Sequence, residues 1–268
     1  SECDMKTSWQ YRDYQKGDEQ KILTLYRQVN KREMFLPLWV WKFADVPFGS
    51  AIIKLMFDDD KLIGHHGLIP MHIQVGRTVV DAALSVNTMT HPDYEKQGIF
   101  SHLTEEIYVK CQQLGIKFVY GFPNDNSYYA WTKKLGLKDM GRMTILEKNL
   151  GVPTQRKKWQ NRTVNSLEVF DERIDLLWKT VQEGYNVTVP RTSEYLNWRF
   201  VKHPVERYAI FGIEDDSRGL SGYLVLKTYA LGPETKGHIV DMLCVEGKDL
   251  ARDLIRYSEH YFMERGIR

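Results

Sequence analysis

The sequence predicts an α/β (α+β) protein made of two tandem mixed sheets flanked by helices, the second copy degenerate and incomplete at its C-terminal end. Three observations lead there. A chain of 268 residues has room for two modest domains. Stretches with apolar residues at three-and-four spacing alternate with runs of branched apolar residues that end in Asp- or Gly-containing turns, the signatures of helix and strand. The order of these stretches in the first half then recurs in the second. With 43% hydrophobic and 27% charged residues the chain can bury a true core, which excludes the disordered and fibrous classes.

In the first half, residues 18–30 carry Ile22, Leu23, Leu25, Tyr26 and Val29 behind Asp18, which predicts an amphipathic helix capped by that aspartate. Residues 51–57, 61–75 and 77–90 read as strands of a meander, separated by Asp58-Asp59-Asp60 and by Val75-Gly76-Arg77. From 98 to 114 the period becomes helical, with Leu103, Ile107, Cys111 and Leu114 on one face and Gly115 as the stop. A short strand at 117–122, a helix at 127–135 ended by Gly136 and a closing strand at 142–148 complete this copy.

Residues 151–163 hold Gly, Pro and a cluster of basic residues without periodicity, so they read as a linker between domains at 1–150 and 164–268. The second domain predicts a helix at 171–183, strands near 208–213, 220–229 and 237–245, and a helix at 248–264. Two echoes tie the halves together. Trp41-Lys42-Phe43 with Pro47 returns as Trp198-Arg199-Phe200 with Pro204, at an offset of 157. Leu114-Gly115-Ile116-Lys117 returns as Arg265-Gly266-Ile267-Arg268, at an offset of 151.

Charge narrows the function classes. The 37 basic and 35 acidic side chains leave a net charge of +2, too balanced for the one-signed field of a nucleic-acid binder, so no nucleic-acid partner is expected. The basic cluster Arg156, Lys157, Lys158 and Arg162 beside Trp159 reads as a solvated connector. Cys3, Cys111 and Cys244 lack the paired spacing of a zinc or redox motif, so no metal is expected and a reducing compartment fits. No apolar run is long enough for a membrane helix, and Glu2, Asp4 and Lys6 break up any secretion signal; the expected location is cytoplasmic, without a membrane partner.

The informative stretch runs Thr88-Met89-Thr90-His91-Pro92-Asp93-Tyr94-Glu95-Lys96-Gln97-Gly98-Ile99-Phe100-Ser101. It predicts a strand that passes through a tight loop into a helix. The first N–H groups of a helix have no internal partner and the dipole adds positive charge, so such a junction can hold a pyrophosphate with main chain alone. Gly98 lets the anion approach because it has no Cβ.

With Thr90 to Tyr94, Gly98-Ile99 and Leu103, this stretch resembles motif A of the GNAT (Gcn5-related N-acetyltransferase) superfamily, Arg/Gln-x-x-Gly-x-Gly/Ala. Gly98 fits; Glu95 stands where that family prefers Arg or Gln, and Phe100 where it prefers a small residue. Tyr120-Gly121-Phe122-Pro123-Asn124-Asp125-Asn126-Ser127 and Lys134-Leu135-Gly136-Leu137 resemble motif B, whose ending is Leu-Gly-Phe. The resemblance implies two parallel strands that diverge, with the pantetheine arm of acetyl-CoA lying in the gap like an added strand. It implies main-chain contacts from Thr88, Met89 and Thr90. The residues Glu95, Lys96, Gln97, Gly98, Ile99, Phe100 and Ser101 would surround the pyrophosphate, and Asn124 or Asn126 would give a side-chain contact. The second copy has Val245-Glu246-Gly247-Lys248-Asp249-Leu250 at the corresponding place and lacks the extended loop, which implies a cofactor-free platform.

Acyl transfer from a thioester needs an unprotonated amine, a stabilised oxyanion and a proton for the departing thiolate. The tyrosine that many members of the family use as the acid is replaced here by Thr132, which leaves Tyr128 and Tyr129 as the catalytic candidates. His65, His66, Asp81 or a water chain are open as the base, and alternation along a strand allows only one of the two histidines into a cleft. Trp41 and Trp131 could wall an acceptor pocket but read more readily as core, and are assigned no site. Ser101 has no His or carboxylate placed by sequence to activate it. The expected activity is transfer of an acetyl group to the amine of a small acceptor, an amino sugar or amino acid. The alternatives are a non-catalytic CoA-binding or scaffold module and a transferase using aminoacyl-tRNA. The sequence is silent on oligomeric state.

Overall fold

The computed structural model describes residues 9–151, 162–216 and 219–267. The chain divides into two units, Ser1–Arg142 with Val187–Val189, and Met143–Asn186 with Pro190–Arg268.

The first unit is built on one sheet, β1 (Trp9–Asp13), β2 (Ile52–Asp58), β3 (Lys61–Val75), β4 (Thr78–Thr90) and β5 (Phe118–Gly121), in that spatial order. The first four strands pair antiparallel, and β5 joins β4 in parallel. The expected meander is present. Its turns need left-handed backbone, supplied by Asp59 (φ 51°) and Gly76 (φ 61°). Helix α1 (Glu19–Asn30) leads into α2 (Leu36–Phe43), and α3 (Ile99–Gln113) connects β4 to β5. The parallel β4–β5 pair requires that crossover, because a hairpin cannot reverse direction twice.

Alternation along β3 decides which helix meets which face. A Cβ on Gly64 would strike Ile99 and Leu103 of α3, and a Cβ on Gly67 would strike Phe43 of α2, so the two faces carry different helices. Ile99, Leu103, Ile107 and Cys111 form the buried stripe of α3, against Met56, Ile63, Leu68 and Ala83 of the sheet. Complete burial of such a side chain is worth roughly 1.5–3 kcal/mol. Asp18 does not cap α1. Its carboxylate is taken by the Arg12 guanidinium at 2.7 and 2.8 Å, and a charge-assisted fork outcompetes a cap.

After β5 the chain forms α4 (Asp125–Tyr129), which continues as a π-turn over Ala130–Lys134 and ends at left-handed Gly136 (φ 66°). The helix expected at 127–135 thus begins two residues earlier and changes its winding midway. Asn124 accounts for the start: its Oδ1 accepts from the Ser127 N–H at 3.0 Å and the Ser127 Oγ accepts from the Asn124 N–H at 3.1 Å, a reciprocal capping box. The closing strand expected at 142–148 is not formed. Met143, Ile145 and Leu146 are 76%, 86% and 91% exposed. Strand propensity expresses fit to a half-buried pleated surface, and none is offered here.

The second unit holds a four-stranded antiparallel sheet in the order β10-β9-β8-β6, from β6 (Arg162–Ser166), β8 (Ala209–Asp215), β9 (Gly219–Leu231) and β10 (Glu234–Cys244). The intervening β7 (Val187–Thr188) pairs with the end of β3 in the first unit's sheet. Tyr223 and Val225 of β9 enter the core under α5 (Glu172–Val181) and α6 (Ser193–Leu196). Leu224 and Leu226 enter the core under α7 (Lys248–Met263), so strand period two again builds both faces. Asp171 caps α5 as a side-chain acceptor for the Arg173 N–H. Of the basic cluster, Arg162 lies in β6 and pairs with Asp253 at 2.8 Å, while Arg156, Lys157, Lys158 and Trp159 lie outside the described residues.

Candidate functional site

The site assembles where β4 leaves the sheet. The β4–β5 pairing ends at Ser85 opposite Gly121, yet β4 runs on to Thr90. Beyond Ser85 no described strand lies on that edge, so Val86 to Thr90 carry backbone groups that face a gap. Gly121 marks the fork, since a Cβ there would lie 2.4 Å from the Trp131 ring, which packs over the last rung. Trp131 and Trp41 are both buried.

Within the gap β4 is bulged. His65 pairs with Met89 and Gly67 with Val86, which sets Asn87 and Thr88 against the single residue His66. Asn87 adopts a left-handed φ of 51°. Its carbonyl accepts from His65 Nδ1–H at 2.7 Å, and the trans peptide therefore turns the Thr88 N–H away from His65. Met89 is buried, and Thr90 is half-buried at the strand end.

The loop to α3 is pinned at its start. The His91 N–H donates to the Ile63 carbonyl at 2.8 Å, and His91 Nδ1 accepts from the Asp93 N–H at 3.2 Å, capping the 3-10 turn Pro92–Tyr94. Glu95 and Lys96 are exposed, Lys96 is left-handed at φ 61°, and Gln97 reaches back to the Asp93 carbonyl. Gly98 is the N-cap of α3 at φ 84° and offers no side-chain cap. The first backbone bond of the helix runs from the His102 N–H to the Gly98 carbonyl, 3.0 Å, so the N–H groups of Ile99, Phe100 and Ser101 come before any internal partner. Ile99 is buried against the sheet, and Phe100 and Ser101 are half-buried.

Among the described residues the buried side-chain atoms without a partner are Trp9 Nε1, Trp39 Nε1, His65 Nε2, Thr88 Oγ1, His102 Nε2 and Trp131 Nε1, and all belong to the first unit. Of these, His65 Nε2, Thr88 Oγ1 and Trp131 Nε1 lie at or beside the fork; buried polar atoms are ordinarily paired, so these three have capacity for a further partner.

The other candidates separate. Tyr128 and Tyr129 lie on α4, 45% and 65% exposed. The Tyr128 hydroxyl donates to Asp139 Oδ2 at 2.6 Å, and that bond holds the phenol above its usual range. Thr132 spends its hydroxyl on the Tyr128 carbonyl. The Asn124 Oδ1 is engaged in capping α4, and the Asn126 side chain lies outside the described residues. Asp81 sits near the start of β4 facing His72 at 3.4 Å, away from the bulge. His65 and His66 are both fully buried, and burial pushes them down to about 4 and about 3, so both are neutral at pH 7. Ser85 and Thr104, which sequence reading passed over, bind the two ring nitrogens of His66; a polar residue in an apolar strand and adjacent histidines were the available signal. Among the described residues no cluster suited to a metal ion occurs, and no helix is long and apolar enough to cross a membrane.

Residues 10–136 match the family model described as an acetyltransferase (GNAT) domain. Among solved structures, a conserved protein of unknown function from Enterococcus faecalis V583 is similar over 96% of this chain and 63% of its own, with 12% identity and a TM-score of 0.69. A GCN5-related N-acetyltransferase from Anabaena variabilis ATCC 29413 aligns over 96% and 63%, with 11% identity and a TM-score of 0.67. The N-myristoyltransferase of Saccharomyces cerevisiae with bound myristoyl-CoA aligns over 97% and 70%, with 12% identity and a TM-score of 0.59. The chain thus spans 63% of the length of the first two. No curated protein sequence matches it. Residues 10–136, just under half of the chain, thus resemble an acetyltransferase (GNAT) domain, and the fold is similar to that of a solved GCN5-related N-acetyltransferase.

Proposed function

We propose that the chain is an acyl-CoA-dependent N-acyltransferase that moves an acetyl group to the amine of a small acceptor, with the donor held in the first unit. One observation carries the reading: at the end of a strand that has lost its neighbour, the first three N–H groups of α3 are uncapped behind left-handed Gly98. Those groups and the helix dipole would hold the pyrophosphate, with exposed Lys96 offsetting Glu95. The open edge of β4 from Thr88 through Met89 to Thr90 would pair with the pantetheine arm, as an added strand does. The Thr88 N–H, turned away from His65 by the bulge, would donate to the oxyanion as the amine attacks. One of Tyr128 and Tyr129 would donate the proton to the departing thiolate in this scheme, Tyr128 only after its hydroxyl leaves Asp139.

The domain at 164–268 is read as a degenerate second copy without cofactor, in tandem with the domain at 1–150. Two pairs of backbone bonds support the tandem reading at the offsets of the sequence echoes. The Asp45 N–H donates to the Val40 carbonyl and the Lys202 N–H to the Asn197 carbonyl. The Ile116 N–H donates to the Cys111 carbonyl and the Ile267 N–H to the Phe262 carbonyl. A cytoplasmic setting suits the free thiols of Cys111 and Cys244.

The test is release of free thiol from acetyl-CoA across a panel of amino sugars and amino acids. Amine-dependent release is expected from the native chain. Binding of acetyl-CoA without release from any amine would favour the non-catalytic reading, which the engaged hydroxyl of Thr132 already recommends as the second choice.

A further inference from the structure

The polar chain beneath the fork is the feature that the proposed chemistry leaves unused. His66 is 2% exposed, with Ser85 at 7% and Thr104 at 0%. Nε2 of His66 lies 2.9 Å from Ser85 Oγ, Nδ1 lies 3.1 Å from Thr104 Oγ1, and Thr104 Oγ1 lies 2.8 Å from the Phe100 carbonyl. The direction of every bond follows from the last one. A carbonyl can only accept, so the Thr104 hydroxyl donates to Phe100 and its oxygen accepts from His66 Nδ1–H. A neutral imidazole has one N–H, so Nε2 accepts from the Ser85 hydroxyl. A single arrangement of protons satisfies the chain, and all three side chains are fixed by it.

The ends of this chain are the working parts of the site. Ser85 is the last β4 residue paired with β5, His66 is the β3 residue opposite the bulge, and Phe100 contributes one of the uncapped N–H groups of α3. Apolar side chains of similar volume would fill the same space without the need to satisfy each polar atom, so the chain adds direction more than cohesion. We propose that His66 is a positioning residue, which through Ser85 and Thr104 fixes the start of α3 relative to the β4–β5 fork so that one acyl-CoA molecule meets both. This rests on the acyltransferase reading of the site and adds to it the group that sets donor affinity. His66 touches no substrate.

The experiment is steady-state kinetics and calorimetric acetyl-CoA binding on the native chain, His66→Leu and His66→Gln, well below the melting temperature of each. Leucine removes both bonds, while glutamine supplies one donor and one acceptor. The expected result is a KM and Kd for acetyl-CoA about tenfold higher in His66→Leu, with kcat at saturation within about twofold and the amine KM unchanged. Substantial recovery is expected in His66→Gln. Should His66→Leu fail to fold, Thr104→Val and Ser85→Ala each break one link and should raise the same KM. A folded His66→Leu or Thr104→Val with native donor KM overturns the positioning role and leaves the acyltransferase reading intact. A fall in kcat at unchanged donor KM also overturns it. Failure of the native chain to bind acetyl-CoA overturns both.

Discussion

Gly98 is the residue whose conformation is least replaceable at the site. Its φ of 84° costs a residue with a Cβ about 1–2 kcal/mol, and in the proposed site a pyrophosphate would approach this same helix start. Gly98→Trp is therefore expected to remain folded with a slightly lower melting temperature and to lose at least about tenfold in acetyl-CoA affinity by calorimetry. Native affinity in that variant would remove the pyrophosphate from this loop. The buried histidines give a second test. Their folded pKa values lie at about 4 and about 3, below the ordinary histidine value of 6.5, so the unfolded chain binds more protons between these limits. Stability is full above pH 6.5 and falls as pH drops toward 4, by roughly 1.4 kcal/mol per unit for each histidine. Thermal melts from pH 7 to 5 should show that slope in the native chain and a shallower one in His66→Gln. Parallel slopes would mean that His66 titrates normally.

At the scale of elements, the fork depends on the absence of one side chain. A Cβ on Gly121 meets two atoms of the Trp131 ring at 2.4 and 2.6 Å, so Gly121→Val must either expel the indole or push β5 from β4. A loss of roughly 1–3 kcal/mol is expected, read as a lower melting temperature together with weaker donor binding. A variant as stable as the native chain would show that Trp131 does not seal the fork. The periodic elements were legible beforehand: the bounds of β3 coincide with the expected run, and α3 shows the expected stripe. The exceptions have local causes. A carboxylate can cap or can pair, and the sequence does not say that Arg12 reaches Asp18 first. Alternating apolar residues at 142–148 look like a strand whether or not a sheet edge is near. The bulge at Asn87 and Thr88 depends on register between strands, which no single strand encodes.

For the whole molecule, the two sheets share an order of elements, while the proposed donor site belongs to the first alone. The first unit has a parallel fifth strand, a fork and orphaned polar atoms; among the described residues of the second, β10 pairs with β9 alone, and half-buried Asp241 accepts from buried Tyr223 at 2.9 Å and from half-buried Arg191 at 3.3 Å. The loop from β4 into α3 was legible from Gly98 and its place between strand and helix. The network through His66 was not, since residues 66, 85 and 104 meet only after the sheet has formed and α3 has packed on it. Amide hydrogen exchange with and without acetyl-CoA compares the two units in one experiment. Saturable protection is expected at Thr88 to Thr90 and at Ile99 to Ser101, with none at the start of α7; protection centred on α7, or none in either unit, would contradict the assignment of the donor site.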